Sequence, residues 1–99
     1  MKIENGRKYI VRSAQAGVFY GEIVAKEGDE VTMKNARCLW YWNGAASLMQ
    51  LAEEGVKRPH TCKFTRIVEE VTLLGVCEIL PCSDNAVNVI EEVPEWIFR

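Results

Sequence analysis

The chain has 99 residues, of which 48% are hydrophobic, and its net charge at pH 7 is −2. A chain of this length forms one small domain with a modest core, so we expect a single domain over residues 1–99 and a ligand pocket that is open or shared between subunits. Because the charge is weak and no basic block is present, the composition argues against a partner of duplex DNA or RNA.

The four cysteines, at positions 38, 62, 77 and 82, have neither the spacing of a zinc knuckle nor that of a redox Cys-x-x-Cys pair. We therefore expect buried, reduced thiols, no metal and no cofactor, which favours the cytoplasm. The first residues lack the apolar stretch of a secretion signal, and no apolar run approaches the length that spans a membrane, so no membrane partner is expected.

The first half of the chain predicts three strands joined by tight turns. Residues 8–14 and 18–26 are rich in β-branched and aromatic side chains and flank a turn that contains Gly17, which predicts a hairpin. A second turn at 27–29 leads into a strand over residues 30–42. The first half is thus predicted to be an antiparallel sheet.

Regular alternation along the third strand places Asn35, Arg37 and Tyr41 on one face, and Trp40 and Trp42 on the other. At most two of the three adjacent rings can therefore line one site. Burial of Trp40 and Trp42 in the core of a small domain remains an equal alternative to ligand stacking.

At Ser47 the apolar period changes to that of a helix, and Ser47 with Gln50 fits the capping-box pattern. Gly55 is expected to end this helix. The capping box alone accounts for Ser47 and Gln50, so a role in ligand binding competes with a purely structural one. The small residues before the helix, which include Ala45, leave free amide N–H groups beside the positive end of the helix dipole.

The second half predicts strands over 65–74 and 76–80 and a second helix that is capped by Ser83 and ends before Pro94. The tail after Pro94 is expected to return as a short strand or a packed arm. The chain therefore predicts an α+β fold, a mostly antiparallel sheet with two short helices in a single small domain, which we expect to be oligomeric.

The candidate ligand site combines rings for stacking on a base, the guanidinium of Arg37 for a phosphate, and small residues that allow close approach of backbone. Tyr20 and Lys63 add a hydroxyl and an ammonium group, although a half-buried sheet tyrosine and a solvated lysine are the ordinary alternatives. No nucleophile and base stand at a spacing typical of catalysis, so we expect no enzyme and no catalytic residues. The predicted ligand-binding residues are Ala16, Gly17, Tyr20, Asn35, Arg37, Trp40, Trp42, Ala45, Ser47, Gln50 and Lys63.

Several segments resemble a family of small proteins carried by tailed phages, T4-like phages included. The similarity spans nearly the whole chain, and its longest part is the central string from Trp40 to Gly55. The other matching segments are Ala16-Gly17-Val18, Asn35-Ala36-Arg37, Cys62-Lys63-Phe64 and Pro81-Cys82.

The resembled group is associated with phage sponges that counter CBASS, the antiphage signalling system based on cyclic oligonucleotides. The resemblance implies a homo-oligomer, a dimer or tetramer, in the cytoplasm of an infected bacterium. It further implies that the protein sequesters a cyclic nucleotide, either a cyclic dinucleotide such as 3′,3′-cGAMP or a cyclic ADP-ribose relative, without cleaving it. Two positions depart from the pattern: Cys38 stands where a basic residue is expected, and Met49 where a small polar one is.

Three other functions stay open. The aromatic surface around Trp40–Trp42 is also suited to a phage inhibitor or accessory protein that binds another protein, because interface hot spots often contain Trp, Tyr and Arg. A minor structural or DNA-associated phage protein is disfavoured by the acidic balance, and a hydrolase is the class that the residues favour least.

Overall fold

Three antiparallel strands joined by tight turns form the centre of the sheet in the computed structural model, which describes residues 1–99. The strands are β1 (Lys8–Ser13), β2 (Gly17–Glu27), β3 (Glu30–Tyr41), β4 (Lys63–Phe64), β5 (Val68–Leu73) and β6 (Val76–Pro81). The helices are α1 (Leu48–Glu54) and α2 (Asp84–Glu92), and a 3-10 turn covers Pro59–Thr61. The predicted α+β class with a mostly antiparallel sheet and two short helices is confirmed. The short strand β4 was not predicted, and β5 begins three residues later than expected.

The sheet curls so that its two edges approach each other. Its strands follow the order β4-β3-β2-β1-β6, and β5 pairs with β3 next to β4. Although β5 and β6 lie at opposite edges, only Leu74 and Gly75 connect them, and two residues cannot cross a flat sheet. Gly75 has a φ of 68°, which suits glycine at this tight connection.

Two apolar clusters pack on the two sides of the curled sheet. The cluster on one side is made only by strand residues: Tyr9, Val11, Ile23, Val31, Met33, Ala36 and Leu73. The second cluster joins the other side to both helices and includes Ile10, Tyr20, Leu39, Leu51, Phe64, Ala86 and Ile90. Successive residues of β1 therefore serve both cores, because side chains alternate along a strand.

A bulge at Asn35 changes which residues of β3 face each core. Asn35 has a φ of 51°, the left-handed conformation, and the pairing between β2 and β3 shifts at this point. Ala36 and Arg37 are consequently both buried, whereas Asn35 is exposed. The predicted shared face of Asn35 and Arg37 was wrong, because regular alternation does not continue through a bulge.

Both helices begin where their caps predicted. The Ser47 and Ser83 hydroxyls accept hydrogen bonds from Gln50 N and Ala86 N, at the starts of α1 and α2. Gly55 ends α1 with a φ of 74°. Neither helix combines the length and the apolar character needed to cross a membrane.

The cysteines are all free, but they are not all buried as predicted. Cys62 and Cys82 lie in the core, Cys38 is half-buried and Cys77 is exposed. Burial raises the pKa of the Cys82 thiol to about 12, which keeps it protonated and unreactive at neutral pH.

Candidate functional site

A pair of exposed tryptophan rings lies beside a lysine at the β4 edge of the sheet. Trp40 and Trp96 stack with their ring centroids 5.0 Å apart and their planes at 27°. Their side chains stay accessible, with Trp40 61% and Trp96 46% exposed. Lys63 Nζ lies 5.4 Å from the Trp40 ring centroid and 5.5 Å from that of Trp96. We call these three side chains the tryptophan platform.

The end of β3, the strand β4 and the C-terminal tail position the platform, and Phe64 of β4 pairs with both of the other segments. Phe64 is fully buried and pairs with Leu39 of β3, so the residues next to this pair, Trp40 and Lys63, are directed outward. The tail joins the same edge through a parallel bridge between Phe64 and Glu95, and Trp96 N donates to Phe64 O at 2.8 Å. The expectation of a short returning strand is met by this single bridge.

An open groove of about 340 Å³ also borders Trp40 and lies between the β1–β2 turn and the end of β3. Its lining includes Ala16 and Gly17 from the turn and Cys38, Trp40 and Trp42 from the third strand and its end. Gly17 has a φ of 99°, and a Cβ placed there would meet no atom within 4 Å, so the turn presents bare backbone to the groove. We call this cavity the turn groove. Trp40 is exposed, so the alternative that it belongs to the core is wrong, whereas Trp42 is half-buried and packs against the helix-side core.

Arg37 does not reach this surface. Its side chain is 1% exposed and lies 5.5 Å over the Phe64 ring. Its Nη1 donates to the carbonyls of Ile90 and Val93 at 3.1 and 3.0 Å, and so satisfies two carbonyls at the C-terminal end of α2.

The remaining hydrogen bonds of the Arg37 guanidinium run to Thr65 O at 2.9 Å and Phe64 O at 3.3 Å. Burial lowers the pKa of Arg37, but an arginine guanidinium stays charged in proteins. In this conformation Arg37 ties α2 to the β4 edge, and a phosphate would have to displace these contacts to reach it.

Tyr20 lies in a polar network away from the turn groove. Its hydroxyl donates to Glu91 Oε2 at 2.7 Å, and Lys8 Nζ lies 3.2 Å from the same oxygen. Burial and the hydrogen bond to Glu91 raise the pKa of Tyr20. Burial alone would raise the pKa of Glu91, but the hydrogen bonds from Tyr20 and Lys8 outweigh it and lower that pKa.

Asn35, the other polar candidate on β3, is exposed and donates from Nδ2 to Glu22 Oε2 at 3.2 Å. Lys8 Nζ lies 3.9 Å from that same carboxylate oxygen. Asn35 therefore belongs to the edge of the Tyr20 network and does not line the turn groove.

Ser47 and Gln50, two of the predicted ligand-binding residues, form a cap at the start of α1. Ser47 Oγ accepts from Gln50 N at 3.1 Å, and Gln50 Oε1 accepts from Ala46 N at 2.7 Å. The capping interaction is thus displaced by one residue from the usual pattern, in which the second bond returns to the N-cap residue itself. Ala45 is half-buried and packs against the helix-side core. None of Ala45, Ser47 and Gln50 lines the turn groove.

The structure therefore brings together five of the predicted residues, with Trp40 shared by the turn groove and the platform. These are Ala16, Gly17, Trp40, Trp42 and Lys63. Sequence reasoning missed Trp96, whose partnership with Trp40 depends on the tail returning to β4. The signal that was available is the run of large apolar residues after Pro94, which is unusual for a loose terminus.

A second and larger groove, of about 760 Å³, lies between residues 4–8 and the start of α2. Its walls carry both signs of charge. Arg7 is paired with Glu4 at 2.7 Å and Lys8 with Glu91 at 3.2 Å. Because both cations of this groove already pair with carboxylates, it offers an anion less attraction than the platform, where Lys63 makes no salt bridge.

Comparison with known proteins gives a family but no activity. No curated protein and no solved structure showed a significant match to the chain. A family model described as a domain of unknown function, DUF6948, matches residues 6–90, a range that contains every strand, α1, most of α2 and the turn groove but not Trp96. The chain therefore belongs to the DUF6948 family.

Proposed function

We propose that this protein binds a cyclic nucleotide signal and sequesters it without cleavage, as a phage protein that counters CBASS inside the infected bacterium. The ligand is a cyclic dinucleotide such as 3′,3′-cGAMP or a cyclic ADP-ribose relative. The observation that carries the proposal is the exposed Trp40 ring, which borders the turn groove and has the salt-bridge-free Lys63 ammonium at its side.

The chemistry of a nucleotide fits these groups. A base stacks on an exposed aromatic ring with a gain of about 1–3 kcal/mol. A phosphate is attracted to an ammonium group that has no carboxylate partner, and bare backbone at Gly17 allows a sugar or phosphate to approach closely. Sequestration requires tight binding and slow release, and it needs neither an acid nor a base.

The size of the turn groove favours a homo-oligomer. At about 340 Å³ it is near the lower limit for small-molecule sites and is open to solvent. A cyclic dinucleotide has two bases and two phosphates, and one open groove with one lysine encloses only part of it. A symmetric dimer, or a tetramer built from such dimers, supplies the second half from an identical groove.

Calorimetric titration with 3′,3′-cGAMP and with cyclic ADP-ribose tests the proposal. We expect wild-type protein to bind one of them, and Trp40→Ala and Trp42→Ala to weaken binding by about 1–3 kcal/mol each because a stacking surface is lost. Tyr41→Ala is the matched control, since Tyr41 is also an exposed ring of this strand but lies outside the turn groove. Equal losses in all three variants would contradict the site.

A protein-binding phage inhibitor is the second candidate. Tyr41, Met49 and Phe98 are exposed in addition to the platform, and exposed aromatic and methionine side chains are typical of interface hot spots. This function predicts that no cyclic nucleotide binds and that a host or phage protein co-purifies with the wild-type chain but not with Tyr41→Ala.

A further inference from the structure

The C-terminal tail contributes a ring to the only stacked aromatic pair of the protein, although the tail lies beyond the part of the chain that the family model matches. We propose that the tryptophan platform is a nucleotide subsite, in which a base stacks on the outer face of the pair and Lys63 holds the phosphate of that nucleotide. This inference rests on the proposed function and assigns Trp96 a binding role.

The three distances of the platform define where its ligand can lie. Lys63 Nζ is 5.4 and 5.5 Å from the two ring centroids, which are 5.0 Å from each other. These lengths form a nearly equilateral triangle, so the ammonium is at cation–π distance from both rings at once. An ammonium over the outer face of one ring would be far from the other ring. The outer faces are therefore not covered by Lys63.

The distance of 5.4 Å between Lys63 Nζ and the Trp40 ring centroid also suits a contact with the phosphate of a stacked nucleotide. A base stacks about 3.5 Å above a ring, the contact distance of carbon atoms, and its phosphate extends to the side through the sugar. We assign that phosphate to Lys63, whose Nζ lies 5.4 Å from the Trp40 ring centroid. Because Lys63 makes no salt bridge, its charge is available to an anion.

Trp96 has two roles in this arrangement. Its ring backs the Trp40 ring and holds it in one orientation, which reduces the entropy lost when a base stacks on Trp40. Its own partly exposed ring extends the apolar surface, so a purine, which has the larger ring system, gains more stacking energy than a pyrimidine. The anchor at Phe64 O keeps the tail in place before the ligand arrives.

Titrations that follow tryptophan fluorescence test the platform, with 3′,3′-cGAMP, AMP and adenosine as probes. We expect AMP to bind more tightly than adenosine, and Lys63→Met to remove that difference while keeping the apolar stem. Trp96→Ala is expected to raise the Kd for AMP and for 3′,3′-cGAMP by about fivefold or more, with partial recovery in Trp96→Phe.

Phe98→Ala is the matched control, because Phe98 is an aromatic residue of the same tail that is fully exposed and outside the pair. Since Trp96, Lys63 and Phe98 are exposed, circular dichroism should show unchanged folding in the variants at these three positions. Unchanged affinity in Trp96→Ala, with binding still weakened in Trp42→Ala, would overturn the platform and leave the proposed function standing. Absence of binding by wild-type protein to all three probes would overturn both, and binding of AMP alone would support the platform but not the proposed cyclic ligand.

Discussion

Removing the Arg37 guanidinium should destabilise the protein before it affects any ligand. Arg37 donates four hydrogen bonds to four main-chain carbonyls, and three of these bonds are buried. Each buried group that loses its partner costs about 1–3 kcal/mol, and water entering the vacated space recovers part of that cost. For Arg37→Ala we expect a loss of about 3–5 kcal/mol in the free energy of unfolding, as for other broken buried charge networks.

A loss of this size lowers Tm by more than about 10 °C in a domain of this length. Thermal and urea unfolding followed by circular dichroism measure it. Arg37→Met keeps most of the side-chain volume without the donors and should lose nearly as much stability. Arg66→Ala, which removes an exposed arginine that makes no side-chain hydrogen bond or salt bridge, should stay within about 0.5 kcal/mol of wild type. A fully stable Arg37→Met that no longer binds nucleotide would refute the structural role and restore the predicted phosphate contact.

Two further substitutions test the features that shape β2 and β3. Gly21→Ala should lower the free energy of unfolding in urea by about 1–3 kcal/mol, because the new Cβ would lie 2.9 Å from Ala36 Cα, a backbone atom that moves only with the bulge. Unchanged stability of this variant would contradict the need for glycine. Tyr20→Phe should cost about 1 kcal/mol at pH 7, and the difference from wild type should shrink as the pH falls from about 5 to 3. The direction of this pH dependence follows from the lowered pKa of Glu91. The ionised carboxylate stabilises the folded state at a pH above the pKa that Glu91 has in the unfolded chain, and this stabilisation is lost when Glu91 is protonated. A stability difference that does not change with pH would contradict this network.

Local signals in the sequence were sufficient for most of the fold. The caps at Ser47 and Ser83, and the helix stop at Gly55, depend on a few neighbouring residues and were confirmed with their hydrogen bonds. The hairpin around Gly17 was predicted for the same reason. Both of its strands begin and end within one residue of the expected bounds.

The errors arose where distant residues determine the local structure. The bulge at Asn35 depends on the absence of a side chain at Gly21 in the neighbouring strand, which no pattern within β3 reveals. The burial of Arg37 requires the carbonyls at the end of α2, which lie more than fifty positions along the chain. Trp96 became part of the site only because the tail pairs with β4, a two-residue strand too short to give a periodic signal.

The central claim is that the protein withholds a cyclic nucleotide without destroying it, and recovery of the ligand tests this directly. Purified protein is incubated with 3′,3′-cGAMP or cyclic ADP-ribose, the free ligand is removed by filtration and measured, and the protein is then denatured by heat. The account predicts that the free concentration of one ligand falls in proportion to the added protein and that chromatography recovers that ligand intact after denaturation. Free ligand that stays constant, or products of cleavage in the recovered fraction, would contradict it.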